Sequence, residues 1–116
     1  MAKNKKIESR NKRKLRVRKK IFGTDKIPRL SVYKSNKNIS AQLIDDLSGK
    51  TLASSSTIIL KLDANNIENA FKVGQDIAKK AKDLKIERIV FDRNGYIYHG
   101  KIKALADGVR KENIKI

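Results

Sequence analysis

The sequence contains no cysteine and no tryptophan, and its 116 residues include a single histidine and a single proline. Without cysteine, disulfide bonds and thiolate metal sites are excluded, and one histidine is too few for a metal site built from imidazoles. No apolar run is long enough to cross a membrane, and no apolar segment of the signal-peptide kind follows the charged N-terminus. We therefore expect a soluble cytoplasmic protein without a cofactor or a bound metal.

Acidic residues are scarce beside basic ones: 12 Asp and Glu stand against 29 Lys and Arg, which gives a net charge of +17. The first 20 residues hold eleven of the basic residues and one acidic residue, Glu8, so they carry +10, and the other 96 residues carry +7. This excess favours a polyanion as the partner. An anionic membrane is the weaker alternative, because the basic segment has few bulky apolar residues (Ile7, Leu15 and Val17).

The uneven charge divides the chain into two predicted parts. Residues 1–22 form a basic N-terminal arm, which we expect to be disordered or partly helical when free because its positive charges repel one another. Residues 23–116 are expected to form one globular domain, since a chain of this length supports a single core. Phosphates would remove the repulsion within the arm and allow a helix to form; a tail that only aids solubility is the alternative.

Three short segments alternate between apolar and polar residues and are separated by polar turns: 29–34, 39–44 and the weaker 51–56. Short turns between alternating strands predict an antiparallel meander with one buried face. The other face is polar, so it can meet RNA through hydroxyl groups and aromatic stacking, or it can simply face solvent. This predicted polar face carries Ser31, Tyr33, Ser40 and Gln42.

A longer segment with apolar residues at helical spacing follows the third strand. Asn65, with Glu68 three residues later, predicts the N-terminus of this helix as a variant of the capping box. The small residues Gly74, Ala78 and Ala81 would allow the helix to approach the sheet closely. The predicted buried stripe consists of Ile67, Ala70, Phe71, Gly74, Ile77, Ala78, Ala81 and Leu84.

The stretch from Phe91 to Arg110 joins a strand end, a turn and a second helix. A short strand over Arg88–Phe91 precedes the turn pair Asn94-Gly95, and a helix begins at Gly100-Lys101. Unpaired N–H groups at a helix N-terminus favour an anion, so this stretch predicts a phosphate-contacting corner; a buried turn with its tyrosines in the core is the equal alternative. The corner residues are Arg93, Tyr96, Tyr98, His99 and Lys101, and the apolar helix face is Ile102, Leu105, Ala106 and Val109.

The predicted order of elements is the arm, three strands, a helix, a strand and a helix, which is an α/β fold of α+β-like character. Because the fourth strand follows a helical crossover, it is expected to pair parallel with the first strand. Both helices are expected to cover one face of the four-stranded sheet and to leave the other face open.

Several motifs follow one another along nearly the whole chain. They are Arg13–Ile21, Gly23-Thr24, Pro28–Val32, Ser35-Asn36-Lys37, Ala41–Asp46, Gly49–Leu52 and, most specific of all, Phe91-Asp92-Arg93 through Tyr98-His99-Gly100-Lys101. In this order and spacing they resemble the bacterial large-subunit ribosomal protein eighteen family. The resemblance implies a mixed α/β sandwich related to the ribonuclease-H-like motif and no catalytic role. It also implies binding to 5S rRNA, attachment of that RNA to 23S rRNA in the central protuberance, and contacts with neighbouring ribosomal proteins.

The resemblance implies RNA contacts in the arm, in the first strand with its following turn, and in the corner before the last helix. Three features depart from the family pattern: Asn38 and Ser40 replace a histidine and an aromatic residue, Asn94 replaces a glycine, and no glycine follows Lys111. The last departure predicts that the final helix extends further into the C-terminal tail. The implied RNA-binding residues are Arg10, Lys12, Arg13, Lys14, Arg16, Arg18, Lys19, Lys20, Arg29, Ser31, Tyr33, Ser35, Asn36, Lys37, Arg93, Tyr98, His99, Gly100 and Lys101.

Other functions fit the residues less well. A nuclease of the ribonuclease-H type needs converging carboxylates to hold two Mg²⁺ ions, but the first strand has none, Asp45 and Asp46 would point to opposite faces, and Asp92 stands isolated. His99 has no carboxylate partner at a recognisable spacing, so we predict no enzymatic activity. A sequence-indifferent nucleic-acid-binding protein, such as one that compacts DNA, would use the arm but would leave the corner motif unexplained.

Overall fold

A computed structural model describes residues 21–116. Residues 1–20 lie outside the described residues, and the predicted conformation of the arm lies outside them too. Four strands and two helices follow one another in the predicted order. They are β1 (Arg29–Lys34), β2 (Ile39–Asp45), β3 (Lys50–Ser56), α1 (Ile67–Asp83), β4 (Val90–Asp92) and α2 (Lys101–Lys111).

The strands form one mixed sheet in the order β3-β2-β1-β4. The three N-terminal strands pair antiparallel, and β4 pairs parallel with β1, so that Leu30 lies between Leu43 and Phe91. The α/β fold with a meander and a helical crossover is therefore confirmed. The fourth strand is shorter than the prediction and ends one residue later, at Asp92.

One face of β1 and β2 carries the apolar residues that the alternation predicted, and these are almost completely buried: Leu30, Val32, Ile39, Ala41 and Leu43. Both helices supply residues to the same core: α1 lies over β2 and β3, and α2 packs mainly against α1. The other face of the sheet carries no helix among the described residues. The core residues at most 1% exposed are Leu30, Val32, Ile39, Ala41, Leu43, Ala70, Val73, Ile77, Ala78, Ala81, Ile102, Leu105, Ala106 and Val109.

The buried face of α1 differs from the predicted stripe at its ends and in its middle. Ile67 and Leu84 are 59% and 49% exposed, whereas Val73, which the prediction left out, is fully buried. Since the two end residues lie beyond the area that the sheet and α2 cover, helical periodicity alone overestimated the length of the stripe.

The N-terminus of α1 is capped by Asn66 and not by Asn65, so the predicted capping box is wrong. The Asn66 side chain accepts a hydrogen bond from the Asn69 N–H at 2.8 Å. Both residues are suitable caps, but Asn65 uses its side chain in contacts with another part of the chain.

Replacing Asn66 with alanine is expected to lower the free energy of unfolding by about 1 kcal/mol, because the Asn69 N–H loses its acceptor. Urea denaturation followed by circular dichroism measures this change. Asn66→Asp keeps an acceptor at the same place and serves as the control. A loss of the same size in the aspartate variant would show that capping is not the cause.

Gly74 and Gly108 lie where α1 and α2 cross. A Cβ atom at Gly74 would overlap the carbonyl oxygen of Leu105, and a Cβ atom at Gly108 would overlap the carbonyl oxygen of Phe71. The close approach predicted for Gly74 is therefore made to the second helix and not to the sheet. The same close approach explains why Gly108 lies inside a helix, where glycine is otherwise unfavourable.

The last helix ends at Lys111 and does not run on as predicted. Asn113 adopts the left-handed conformation (φ 65°) and donates its N–H to the Arg110 carbonyl at 3.0 Å. Asparagine tolerates this conformation better than most residues do, so it ends the helix in place of glycine. The chain then buries Ile114 and pairs Lys115 with Arg88 beside the sheet.

Candidate nucleic-acid interface

Two loops meet at one end of the sheet because β1 and β4 run parallel and therefore end at the same edge. The first is the turn Ser35–Asn38 after β1, and the second is the loop Arg93–Gly100 after β4. Tyr96 joins them: its hydroxyl accepts a hydrogen bond from the Lys34 N–H at 3.1 Å and donates one to the Lys34 carbonyl at 2.9 Å. We call these two loops, together with the first turn of α2, the loop end.

The second loop is ordered by its own contacts. Asn94 and Gly95 both have positive φ angles (56° and 81°), as in the mirror-image turns that asparagine followed by glycine favours. The Asn94 N–H donates to Asp92 Oδ1 at 2.9 Å, and Arg93 Nη1 donates to the Tyr96 carbonyl at 3.2 Å. The predicted turn is therefore present, and asparagine satisfies it where the family pattern has glycine.

The two tyrosines of this loop have different surroundings. Tyr96 is half-buried against the core, and the Nζ atom of Lys34 lies 5.7 Å from its ring centroid. Tyr98 is 38% exposed, meets Phe91 edge-on, and accepts a hydrogen bond from Arg110 that raises the pKa of this arginine. Ile97, between the two tyrosines, and His99, after the second one, are both exposed. The tip of the loop is therefore open to a partner and not buried in the core.

The N-terminus of α2 contributes unpaired donors to the loop end. Its cap position is Gly100, with φ at 56°, and no side chain among the described residues caps the helix. The first turn has no acidic residue and carries Lys101 and Lys103. Cations at a helix N-terminus are unfavourable unless an anion compensates them, so the local charge favours a phosphate or another anion here.

The turn after β1 presents its residues to solvent. The Ser35 N–H donates to the Asn38 carbonyl at 2.8 Å, and the Asn38 N–H donates to Ser35 Oγ at 3.1 Å. Asn36 and Lys37 at the tip are exposed. The turn is closed by internal hydrogen bonds, which leaves its tip side chains available.

The open face of the sheet lies beside the loop end and is rich in hydroxyl groups. In one row Ser31 is paired with Gln42 and Gln42 with Ser54; in the next row Tyr33 is paired with Ser40, whose partner on β3, Ser56, is buried. Tyr33 is 58% exposed. None of these residues is acidic, so this face can approach a polyanion without charge repulsion.

Arg29, a residue implied as an RNA contact, is held inside an ion network. It is 8% exposed; its Nη1 atom lies 2.8 Å from Asp92 Oδ2, and its Nε and Nη2 atoms each lie 3.0 Å from a carboxylate oxygen of Asp46. Burial lowers the pKa of Arg29, but the hydrogen bonds to both carboxylates outweigh this and raise it. The guanidinium therefore already has two carboxylate partners.

The same network corrects the interpretation of the carboxylates. Asp92 is not isolated but fully buried, and it converges with Asp46 on Arg29. A guanidinium occupies the space between the two carboxylates, where a nuclease of the type considered above would need metal ions. Within residues 21–116, no group of three or more His, Asp or Glu side chains could hold a metal.

Asp46 also fixes the segment where the described chain begins. Its Oδ2 atom accepts a hydrogen bond from the Gly23 N–H at 2.8 Å, and its own N–H donates to the Gly23 carbonyl at 2.9 Å. Gly23 is buried against the start of β1 and the end of β2. The root of the predicted arm is therefore attached at the end of β1 opposite the loop end.

The structure brings together only part of the predicted site. Arg29 lies apart, inside the ion network. The predicted residues that share the loop end or the adjoining open face are Ser31, Tyr33, Ser35, Asn36, Lys37, Arg93, Tyr98, His99, Gly100 and Lys101. Two cations at the same end, Lys34 and Lys103, were not predicted; their positions at a strand end and in a first helical turn were the available signals. The predicted contacts that lie outside the described residues are Arg10, Lys12, Arg13, Lys14, Arg16, Arg18, Lys19 and Lys20.

No helix between residues 21 and 116 has both the length and the apolar character that a membrane crossing requires.

The chain is similar over residues 4–116 to the family described as ribosomal L18 of archaea, bacteria, mitochondria and chloroplasts. It is 54% identical to the large ribosomal subunit protein uL18 of Oleidesulfovibrio alaskensis, over 95% of this chain and 96% of that protein. The uL18 proteins of Treponema denticola (53%; 97% and 95% covered) and Lactiplantibacillus plantarum (51%; 95% and 94% covered) are similar as well.

The basic sheet-and-helix fold and these similarities define the class: a structural, non-enzymatic ribosomal protein. Within that class, the chain belongs to the ribosomal L18 family, as the resemblance in its motifs predicted. This membership places it in the large subunit of the cytoplasmic ribosome, with ribosomal RNA and ribosomal proteins as its partners.

Proposed function

We propose that this protein binds 5S rRNA and helps to attach it to 23S rRNA in the central protuberance of the large subunit, beside neighbouring ribosomal proteins. The observation that carries the proposal is the loop end, where cations, unpaired helix N–H groups and an exposed turn converge. The only acidic residue in the sequence segments 29–44 and 90–103 is Asp92, and it is buried against Arg29. An RNA backbone thus meets no free carboxylate from these segments.

The proposal divides the work between two parts of the chain. The basic residues of the arm neutralise phosphates and supply much of the affinity through release of counterions. The loop end and the open face of the sheet supply geometry: Tyr33 and Tyr98 offer rings for stacking on unpaired bases, and serine hydroxyls offer partners for ribose and phosphate. Arg29 acts indirectly, by holding the strands that present these groups.

Binding of 5S rRNA is expected to weaken steeply with salt, by roughly 10³–10⁵-fold between about 50 and 200 mM if 6–10 phosphates of a duplex are contacted. Filter binding across a salt series measures the slope of log K against log salt. Lys101→Ala should reduce the magnitude of the slope by about 1, the value expected for one phosphate contact. Lys79→Ala, an exposed lysine on α1, should leave the slope unchanged.

Removal of residues 1–20 tests the division of work in the same assay. The shortened chain should still fold, as circular dichroism measures. It should bind more weakly, with a smaller slope, because the arm no longer displaces counterions from the RNA. Equal affinity of the intact chain for 5S rRNA and for duplex DNA at matched salt would instead favour the sequence-indifferent nucleic-acid-binding protein. A flat salt response would contradict both functions.

A further inference from the structure

We infer that Asn65 is a positioning residue that sets the conformation of the RNA-facing turn Ser35–Asn38; the inference rests on the proposed function. Asn65 precedes α1 and lies 30 residues from Ser35 in the sequence. Its Nδ2 group donates to the Ser35 carbonyl at 2.7 Å and to the Asn38 carbonyl at 3.2 Å. One amide thus bridges the two ends of the turn, while the side chains of Asn36 and Lys37 remain exposed.

A second contact holds the same turn from the end of β3. The Thr57 hydroxyl donates to Asn38 Oδ1 at 2.9 Å and accepts a hydrogen bond from the Ile39 N–H at 3.3 Å. Thr57 is completely buried, so this contact is shielded from solvent. Asn38, which departs from the family pattern, therefore serves as an internal partner in the turn.

The orientation of the Asn65 amide toward the turn leaves its oxygen atom unpaired. Its Oδ1 atom is buried and has no hydrogen-bond partner among the described residues, and an unpaired buried acceptor is unfavourable. Rotating the amide would direct Oδ1 at two carbonyl oxygens, so the observed orientation is the one that the turn requires. Asn65 does not cap α1, because Asn66 does. Both hydrogen bonds recorded for the Asn65 side chain therefore serve the turn.

A fixed turn matters for recognition because an ordered loop loses less conformational entropy when it binds. Asn65 needs no contact with RNA for this effect. If it were only a structural residue, its removal would alter stability but not the preference for one RNA over another. These two roles can be separated by experiment.

Asn65→Ala is compared with wild type for binding to 5S rRNA and to a size-matched unrelated RNA. We expect about a tenfold loss of affinity for 5S rRNA, the order of magnitude for two lost hydrogen bonds that order a binding loop. The slope of log K against log salt should not change, because no cation is removed. In ¹H–¹⁵N spectra, the amide signals of residues 35–38 should shift or broaden while those of the helices stay in place.

Asn69→Ala is the matched control, because the Asn69 amide also donates to a backbone carbonyl, that of Ala64 at 2.7 Å, but not to the turn. It should bind 5S rRNA as wild type does. Asn65→Leu, which keeps nearly the same side-chain shape, removes the donors and adds no charge, should repeat the loss even if the alanine variant folds poorly.

The outcomes separate the inference from the function on which it rests. A wild-type protein that prefers 5S rRNA, together with unchanged affinity in both Asn65 variants, would overturn the role of Asn65 alone. An equal loss in Asn69→Ala would overturn it too, since the effect would then be general. A wild-type protein with no preference for 5S rRNA would overturn the proposed function and this inference with it.

Discussion

Replacing Gly74 with alanine is expected to lower the free energy of unfolding by about 3 kcal/mol or more, at the upper end of the range for overpacked cores. The obstacle is the backbone carbonyl of Leu105, which cannot turn aside as the end of a flexible side chain can. The two helices would have to move apart, and the contacts between α1 and α2 would loosen. Guanidinium denaturation monitored by circular dichroism measures the loss, which is a large part of the 5–15 kcal/mol typical of a domain.

Gly108→Ala should act in the same way, because its added methyl group would meet the Phe71 carbonyl from the other helix. The control is Gly49→Ala: Gly49 has a positive φ of 69° but open space around its missing Cβ. That variant should lose only about 1–2 kcal/mol, the cost of the left-handed conformation. Equal losses at Gly49 and Gly74 would show that the helix crossing is not especially tight.

Replacing Arg29 with alanine is expected to destabilise the protein by about 3–5 kcal/mol, because breaking a buried ion pair leaves an uncompensated charge. Here two carboxylates would lose their partner, and that of Asp92 is completely buried. Thermal and urea unfolding measure the effect. Arg29→Lys should recover only part of it, since an ammonium group cannot reproduce the fork that reaches both carboxylates.

A triple variant, Arg29→Met with Asp46→Asn and Asp92→Asn, provides the control. It removes all three charges, so it should be less destabilised than Arg29→Ala; the opposite order would refute the proposed cause.

The pKa of Arg29 is raised in the folded state. A basic group whose pKa is raised by folding stabilises the protein while it is protonated, and this contribution is lost only as the pH rises through the folded-state pKa. We therefore expect no loss of this contribution between about pH 6 and 9.

Features that depend on neighbours in the sequence were predictable. The alternation of Leu30 and Val32 indicated the buried face of β1, and Asn94-Gly95 indicated the turn after β4. The parallel pairing of β4 followed from the helical crossover. In each case the residues that determine the structure lie within one element or one connection.

Features that depend on distant residues were not predictable. Asn65 and Asn66 are chemically identical candidates for the cap, and the choice between them is made by the turn at Ser35–Asn38, far away in the sequence. Gly74 has the pattern of a small residue facing a sheet, and only the path of α2 shows its actual neighbour. Arg29 lies 17 residues from Asp46 and 63 residues from Asp92, so its pairing could not be derived from local patterns.

The reciprocal hydrogen bonds between Gly23 and Asp46 have a mechanical consequence. They fix the point from which the chain toward the N-terminus departs, at the far end of a six-residue strand from the turn that follows it. A strand of this length spans roughly 20 Å. An RNA assembly that contacts both the N-terminal segment and the opposite loops would hold the protein at two separated points, and a body held in this way can rotate only about the line that joins them.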